Sequence, residues 1–106
     1  MFCYIVCCTF SDAAIRDRWL VWLRDEHCAD VCRAGALSAE ILKMDRLDGN
    51  DLVLEVHYAF SSREAFEAYE CAEAPRLRAE GLRFKGDDDV RFSRKTAEII
   101  PQTQRM

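Results

Sequence analysis

The chain has 106 residues, half of them hydrophobic, so it is long enough for one buried core and too short for two. Its 15 basic and 19 acidic residues argue against a protein whose affinity comes from neutralising nucleic-acid phosphates or an anionic membrane surface. We therefore expect one domain over residues 1–100 that binds a small molecule, with no nucleic-acid or membrane partner.

The first ten residues, MFCYIVCCTF, are mostly β-branched, aromatic or cysteine, and they predict a strand over residues 2–10. They lack a basic leader and a small-residue cleavage site, and they are about half the length of a membrane span, so we interpret them as a mature first strand. Ser11 and Asp12 then offer a helix cap before an amphipathic run that reaches about Arg33, and Gly35 fits the end of that helix.

The middle of the chain predicts a β-hairpin. Residues 37–47 and 52–60 have the pattern of two strands, and residues 48–51 have the composition of the turn between them. The run Ser-Ser-Arg-Glu at 61–64 is typical of a capping box, and it predicts a second helix.

Phe66 and Tyr69 share one face of that second helix, and we expect Pro75 to interrupt it and Gly81 to close its last turn. A final strand follows over residues 90–99. The tail over residues 101–106 is predicted to be flexible.

This order is β-α-β-β-α-β, which predicts an α+β, ferredoxin-like fold with two helices on one face of a four-stranded antiparallel sheet. Parity along the first strand makes both of its faces apolar. One face carries Phe2, Tyr4, Val6, Cys8 and Phe10, and the other carries Cys3, Ile5 and Cys7. Burying such a side chain is worth roughly 1.5–3 kcal/mol, so we expect a homodimer packed through the open face of the sheet.

The six cysteines lie at positions 3, 7, 8, 28, 32 and 71. An even number in a short chain raises the question of disulfides, but without a secretory signal we expect small buried residues that stay reduced in the cytoplasm. A metal site built from His27, Cys28 and Cys32 is the alternative. It lacks a C-x-x-C pair and the spacing of structural zinc sites.

The pattern W-x-x-W-x-x-x-E-H places Trp19, Trp22, Glu26 and His27 on roughly one stripe of the first helix. Histidine titrates near neutral pH, and we predict that His27 is a general base in a pocket beside the indoles. The alternatives are a half-buried, hydrogen-bonded histidine and tryptophans that belong to the core rather than stack on a planar ligand.

Basic residues crowd the segment after the second helix, where they can grip a ligand carboxylate or phosphate, or form a lid. These are Arg76, Arg78, Arg83 and Lys85. The alternative is a solvated helix end whose charges are balanced by Glu70, Glu73 and Glu80. Arg94 alternates with Phe92 on the last strand, and we expect it to be buried with an anionic partner.

By strand parity, His57 and Tyr58 lie on opposite faces, and only one of them can face the helices. If Tyr58 joins Leu54 and Val56 on the helix side, His57 and Glu55 point to the open face, where they pair with the other copy or line a second cavity. We therefore assign His57 a structural role. The acidic run at 87–89 is predicted to be a solvated turn, with too few oxygen ligands for calcium.

Several parts of the sequence resemble the domain of unknown function 4286 family. They are the first-helix motif, Tyr58, the run A-P-R-L-R-A-E-G at 74–81 with Arg83 and Phe84, and the strand Phe-Ser-Arg at 92–94. The likeness covers nearly the whole chain. It implies a dimeric α/β barrel, similar in build to antibiotic-biosynthesis monooxygenases and EthD-type proteins, in a family without an established activity. The chain departs from the family at Leu54, where an aromatic residue is frequent, and at His57, where a glutamine-like residue is frequent.

The sequence contains no glycine-rich phosphate loop, serine nucleophile elbow, H-x-x-x-H helix or C-x-x-C pair, so we expect no cofactor and no metal. Three functions remain open: a cofactor-independent oxygenase or isomerase acting on a hydrophobic or anionic molecule, a ligand sensor or carrier, and an assembly protein. The predicted catalytic residue is His27, and the predicted ligand-binding residues are Trp22, Tyr58, Arg76, Arg78, Phe84 and Arg94.

Overall fold

A computed structural model describes residues 1–46 and 51–101 of the chain. Within these ranges the elements follow in the order β1 (Phe2–Phe10), α1 (Ala13–Trp22), a π-helical segment (Leu23–His27), α2 (Cys28–Arg33), β2 (Ser38–Lys43), β3 (Leu52–Phe60), α3 (Arg63–Ala72), α4 (Ala74–Lys85) and β4 (Val90–Glu98).

The four strands form one antiparallel sheet in the order β2-β3-β1-β4. The register places Tyr4 of β1 between Tyr58 of β3 and Thr96 of β4. Each of the two inner strands, β1 and β3, is followed by helix and then by an edge strand, so the predicted ferredoxin-like α+β fold is confirmed.

Alternate residues of β1 and β3 are buried beneath the helices, as strand parity predicts. Tyr58, Leu54 and Val56 all lie on this buried side. On the other face of the sheet, Cys3 and Ile5 keep part of their surface exposed. The helices therefore cover one face of the sheet and leave the second face without a covering layer.

Two side-chain caps fix the starts of the helices. Asp12 Oδ1 accepts hydrogen bonds from the backbone N–H groups of Ala14 and Ile15, at 2.7 and 3.2 Å. Ser62 Oγ accepts from the N–H of Ala65 at 3.0 Å. Both caps satisfy amide groups that the first turn of a helix leaves without a partner, which confirms the two predicted helix starts.

The predicted first helix is not a continuous α-helix. At its centre the Cys28 N–H donates to the carbonyl of Leu23, five residues back, rather than to the residue four back. Such a π-type turn is rare and is often found at functional sites. Gly35, with φ of +143°, ends this helical region in a conformation that favours glycine, as expected.

The helix is interrupted beside Pro75 as predicted, since α3 ends at Ala72, but the prediction that Gly81 closes the last turn is wrong. Pro75 lies in the first turn of α4, where backbone N–H groups have no acceptor within the helix. Proline, which lacks an N–H group, therefore breaks no hydrogen bond there, and a new helix starts. That helix continues through Gly81 to Lys85 and ends at Gly86, whose φ is +52°.

The hairpin is shorter than predicted, because β2 ends at Lys43 rather than at residue 47. Most of the turn predicted over residues 48–51, and the tail from residue 102, lie outside the described residues. Among the described residues, no helix has both the length and the apolar character needed to cross a membrane.

Candidate functional site

A cavity of about 260 Å³ lies between the helices and the sheet. Its walls include Trp22, His27, Tyr58, Arg78 and Arg94, five of the residues that the sequence singles out. They come from α1, the π-helical segment, β3, α4 and β4. The remaining wall is mostly apolar, and a few polar groups in an apolar pocket are typical of a small-molecule site.

Trp22 is the middle ring of a three-ring stack. Its centroid lies 4.6 Å from the His27 ring, at an interplanar angle of 18°, and 4.5 Å from the Phe84 ring, at 7°. These contacts occupy the indole faces, so Trp22 offers its edge to the cavity and does not stack on a planar ligand. Trp19 is 2% exposed and packs edge-on against both Trp22 and Phe84, which makes it a core residue.

The π-helical segment brings His27 over Trp22. The His27 Nδ1 atom is buried and has no hydrogen-bond partner among the described residues. Burial lowers the pKa of His27 below its ordinary value, and the charges of Asp30 and Glu80 oppose this effect only in part. The imidazole is therefore neutral at pH 7.

Arg78 is held by other protein groups. Its Nη2 donates to both carboxylate oxygens of Glu70 at 2.7 Å and to the Tyr4 hydroxyl at 3.4 Å. The hydrogen bond to Glu70 is the main reason that the pKa of Arg78 is raised. Arg78 lines the cavity with its charge already paired.

Arg76 and Phe84 do not line the cavity. The Arg76 guanidinium pairs with Glu73 at 2.9 Å and with Glu80 at 3.4 Å on the outer surface of α4. At Arg76 the structure has the alternative to a ligand grip, a solvated helix end whose charge is balanced by glutamates. Phe84 supports the site indirectly, through its stack on Trp22.

Arg94 is exposed, so the expectation of a buried arginine with an anionic partner is wrong. The reason is that β4 is an edge strand, which leaves its central residues open to solvent. The guanidinium lies 5.7 Å from the ring centroid of Phe92 and makes no ion pair within the described part of the chain. Leu82, which also lines the cavity, is 63% exposed, so the cavity opens between α4 and β4.

Asp88 belongs to the aromatic cluster, although the acidic run at 87–89 was expected to be a solvated turn. Its Oδ2 accepts from the Trp19 indole Nε1–H at 3.3 Å and pairs with the Arg18 guanidinium. That guanidinium lies 5.0 Å from the Phe84 ring centroid. Asp88 therefore ties α1 to the segment after α4; no local pattern distinguishes it from its two acidic neighbours.

Two cavity tyrosines, Tyr4 and Tyr69, were missed in the sequence because each matches an ordinary core position. Burial raises the pKa of Tyr69 to about 12. Burial also raises the pKa of Tyr58, whose hydroxyl lies 3.8 Å from the Cys28 Sγ. Tyr58 and Tyr69 are therefore protonated at neutral pH, so each hydroxyl can donate a hydrogen bond.

The polar pair on the open face of the sheet is formed within one chain. His57 Nε2 lies 2.8 Å from Glu55 Oε1, on the side away from the helices, as parity predicts. All six cysteines are free. Within residues 1–46 and 51–101, no group of three or more histidine, cysteine or acidic side chains is arranged to hold a metal ion.

A family model described as a domain of unknown function, DUF4286, matches residues 1–99. This confirms the resemblance carried by the first-helix motif and by the run at 74–81. Among curated proteins, none matches the chain significantly.

Solved structures share the fold at low sequence identity. A dimeric ferredoxin-like protein from an uncultured marine organism gives a TM-score of 0.76 at 12% identity, over 96% of this chain and 97% of its own. HapK from Hahella chejuensis gives 0.69 at 14% identity, over 100% and 99%. An EthD family protein from Bacillus halodurans gives 0.60 at 11% identity, over 94% and 100%. At such identities the likeness concerns the fold alone.

Proposed function

The chain belongs to the DUF4286 family, and from that premise we propose that it is a homodimeric protein that binds a small, largely apolar molecule between its helices and its sheet. The observation that carries this proposal is the cavity of about 260 Å³. Ligand sites typically have volumes of roughly 300–1,000 Å³, so this one suits a molecule of one or two rings.

In this proposal His27 is the general base. A base must be unprotonated at the working pH, and burial supports this by lowering the His27 pKa. The chemistry that fits is proton removal from a bound carbon acid, as in a cofactor-independent isomerase or oxygenase. Trp22 fixes the imidazole plane by stacking, and its edge forms part of the ligand surface.

Arg94 receives the anionic end of the ligand when the ligand carries one. Its guanidinium is at the cavity mouth and has no carboxylate partner among the residues that the structure describes. The charge of Arg78 is paired with Glu70, so Arg78 positions neighbouring side chains of the cavity and does not form an ion pair with the ligand. Arg76 and Phe84 are left out of the proposed ligand contacts.

The proposed dimer packs two sheets together through their open faces. Ile5 and Cys7 give this face an apolar centre on β1, and Leu42 adds to it on β2. These three side chains are half-buried in one chain, and a second sheet packed on this face would bury the rest of their surface. The dimeric description of one solved structure with this fold agrees with the proposal.

Native mass spectrometry of the purified protein tests ligand and dimer together. We expect a dimer that carries an additional small mass, which is released when the protein is denatured and can then be identified by fragmentation. A monomer without added mass, in a protein that also fails to bind small aromatic probes, contradicts the proposal.

A carrier or sensor that uses the same cavity without turnover is the second candidate. It is favoured by His27 Nδ1, which has no hydrogen-bond partner in the described part of the chain, because general bases are commonly oriented by a carboxylate on the second ring nitrogen. Product analysis after incubation with the identified ligand separates the two functions. If the protein is an enzyme, His27→Gln loses roughly 100-fold or more in turnover while it still binds.

An assembly protein, in which the helix side is merely core, is the third function that the sequence leaves open. A cavity lined by Trp22, His27, Tyr58 and two arginines counts against it. The cytoplasmic location stays a prediction.

A further inference from the structure

We infer that the ligand carries a carbonyl or carboxylate oxygen on an apolar body, and that the Tyr4 hydroxyl donates a hydrogen bond to that oxygen. This inference rests on the proposed function, since it names the chemical class of the molecule that the cavity takes.

The hydrogen-bond roles at Tyr4 follow from its neighbour Arg78. A guanidinium has only donors, so at a distance of 3.4 Å the Tyr4 oxygen must accept from Arg78. The phenol keeps one hydrogen, and no described residue accepts it. Tyr4 is 5% exposed and lines the cavity, so this hydrogen can be satisfied only by a molecule in the cavity.

The Arg78 guanidinium is fixed by Glu70, whose two oxygens both lie 2.7 Å from Nη2. Arg78 therefore stays against Tyr4 when a ligand enters. A phenol that accepts a hydrogen bond from a cation becomes a stronger donor, because chains of hydrogen bonds polarise one another. Arg78 is then a positioning residue that acts through Tyr4.

Tyr69 adds a second donor on the same wall. Its ring centroid lies 6.4 Å from that of Tyr4, and none of the described residues is hydrogen-bonded to its hydroxyl. Tyr58 differs, because its hydroxyl already contacts the Cys28 sulfur. A ligand oxygen near Tyr4 and Tyr69 can therefore accept hydrogen bonds from their hydroxyl groups. A hydrocarbon ligand would leave both hydroxyl groups without an acceptor, and this would weaken its binding.

A matched pair of probes tests this inference. 2-Acetonaphthone and 2-ethylnaphthalene have nearly the same shape and differ in a carbonyl oxygen. We expect the wild-type protein to bind the ketone about tenfold more tightly in an NMR titration, which corresponds to one good hydrogen bond. Tyr4→Phe removes one oxygen atom and should reduce this preference to the part that Tyr69 supplies, while leaving the affinity for the hydrocarbon unchanged.

Thr9→Val is the control, because it removes one hydroxyl from the same strand on the open face of the sheet, away from the cavity, and should keep the preference. Arg78→Met tests the same chain of hydrogen bonds without altering Tyr4, and it should reduce the preference for the ketone.

The outcomes separate the inference from the proposed function. If neither probe binds the wild-type protein, the proposed function fails. If both bind equally well, or if the preference is undiminished in Tyr4→Phe, the cavity binds ligands but this inference is overturned.

Discussion

The indole of Trp22 and the imidazole of His27 stack with their centroids 4.6 Å apart, although the two residues are five positions apart in the chain. In a regular α-helix, side chains five apart point about 140° away from each other. The π-type turn over Leu23–His27 removes most of this angle, because its hydrogen bonds close between residues five apart. The contact that defines the site therefore depends on an irregular turn of the helix.

The burial of His27 predicts how stability changes with pH. Its pKa is lowered in the folded protein, so below about pH 6.5, its ordinary value, the unfolded chain binds the proton more readily. The free energy of unfolding should therefore fall as the pH drops through this range. The His27→Gln variant lacks the titrating imidazole, so its free energy of unfolding should fall less than that of the wild-type protein between pH 7.5 and 5.5. Urea denaturation at both pH values measures the difference, and equal losses would show that His27 is not buried in its neutral form.

Asp88 should contribute measurably to stability. Asp88→Ala leaves the buried Trp19 indole N–H without an acceptor and removes the partner of Arg18. An unsatisfied buried donor costs about 1–3 kcal/mol, so we expect a loss of that size in the free energy of unfolding. The exposed neighbour Asp87 provides the control, since Asp87→Ala should change the value by less than about 0.5 kcal/mol. Equal effects of the two substitutions would mean that the Trp19 hydrogen bond is not formed in solution.

The strands could be predicted from the sequence because a two-residue period is visible in the residue types themselves. Strand parity grouped Phe2, Tyr4, Cys8 and Phe10 on one face of β1, and the structure buries all four. Because both faces are apolar, parity did not predict which of them the helices cover. The same parity put Tyr58 and His57 on opposite faces of β3, and the structure has Tyr58 in the cavity wall and His57 outside it. The helix starts at Asp12 and Ser62 were also predictable, because each depends on a local cap.

What could not be predicted depends on contacts between distant parts of the chain. Nothing in residues 23–27 distinguishes a π-type turn from an α-helix. Gly81 looks like a helix end, yet it lies inside α4 where that helix approaches Trp22, and a Cβ there would be 3.8 Å from the indole. Asp88 and Tyr69 acquire their roles only once α1, α3 and α4 are packed over the sheet.

The proposed dimer predicts that a charge on the open face of the sheet separates the two copies. Ile5 lies at the centre of this face, with Lys95 beside it on β4. Ile5→Lys places an unpaired charge against an apolar partner surface and next to a like charge, so it should weaken dimerisation by about 100-fold or more. Thr96→Lys puts the same charge on the other face of β4 and should leave the dimer intact. Analytical ultracentrifugation distinguishes the two; a dimeric, folded Ile5→Lys protein would exclude this face as the interface.

The central claim, that the cavity is a ligand site, is tested most directly by filling it. Gly81 lies in its wall and in the middle of α4, so Gly81→Leu reduces the cavity while improving helix propensity by up to about 1 kcal/mol. We predict that this variant stays folded and binds 2-acetonaphthone at least tenfold more weakly in an NMR titration, whereas Ala68→Leu, on the exposed side of α3, binds it like the wild-type protein. Equal affinity in all three proteins would contradict the claim.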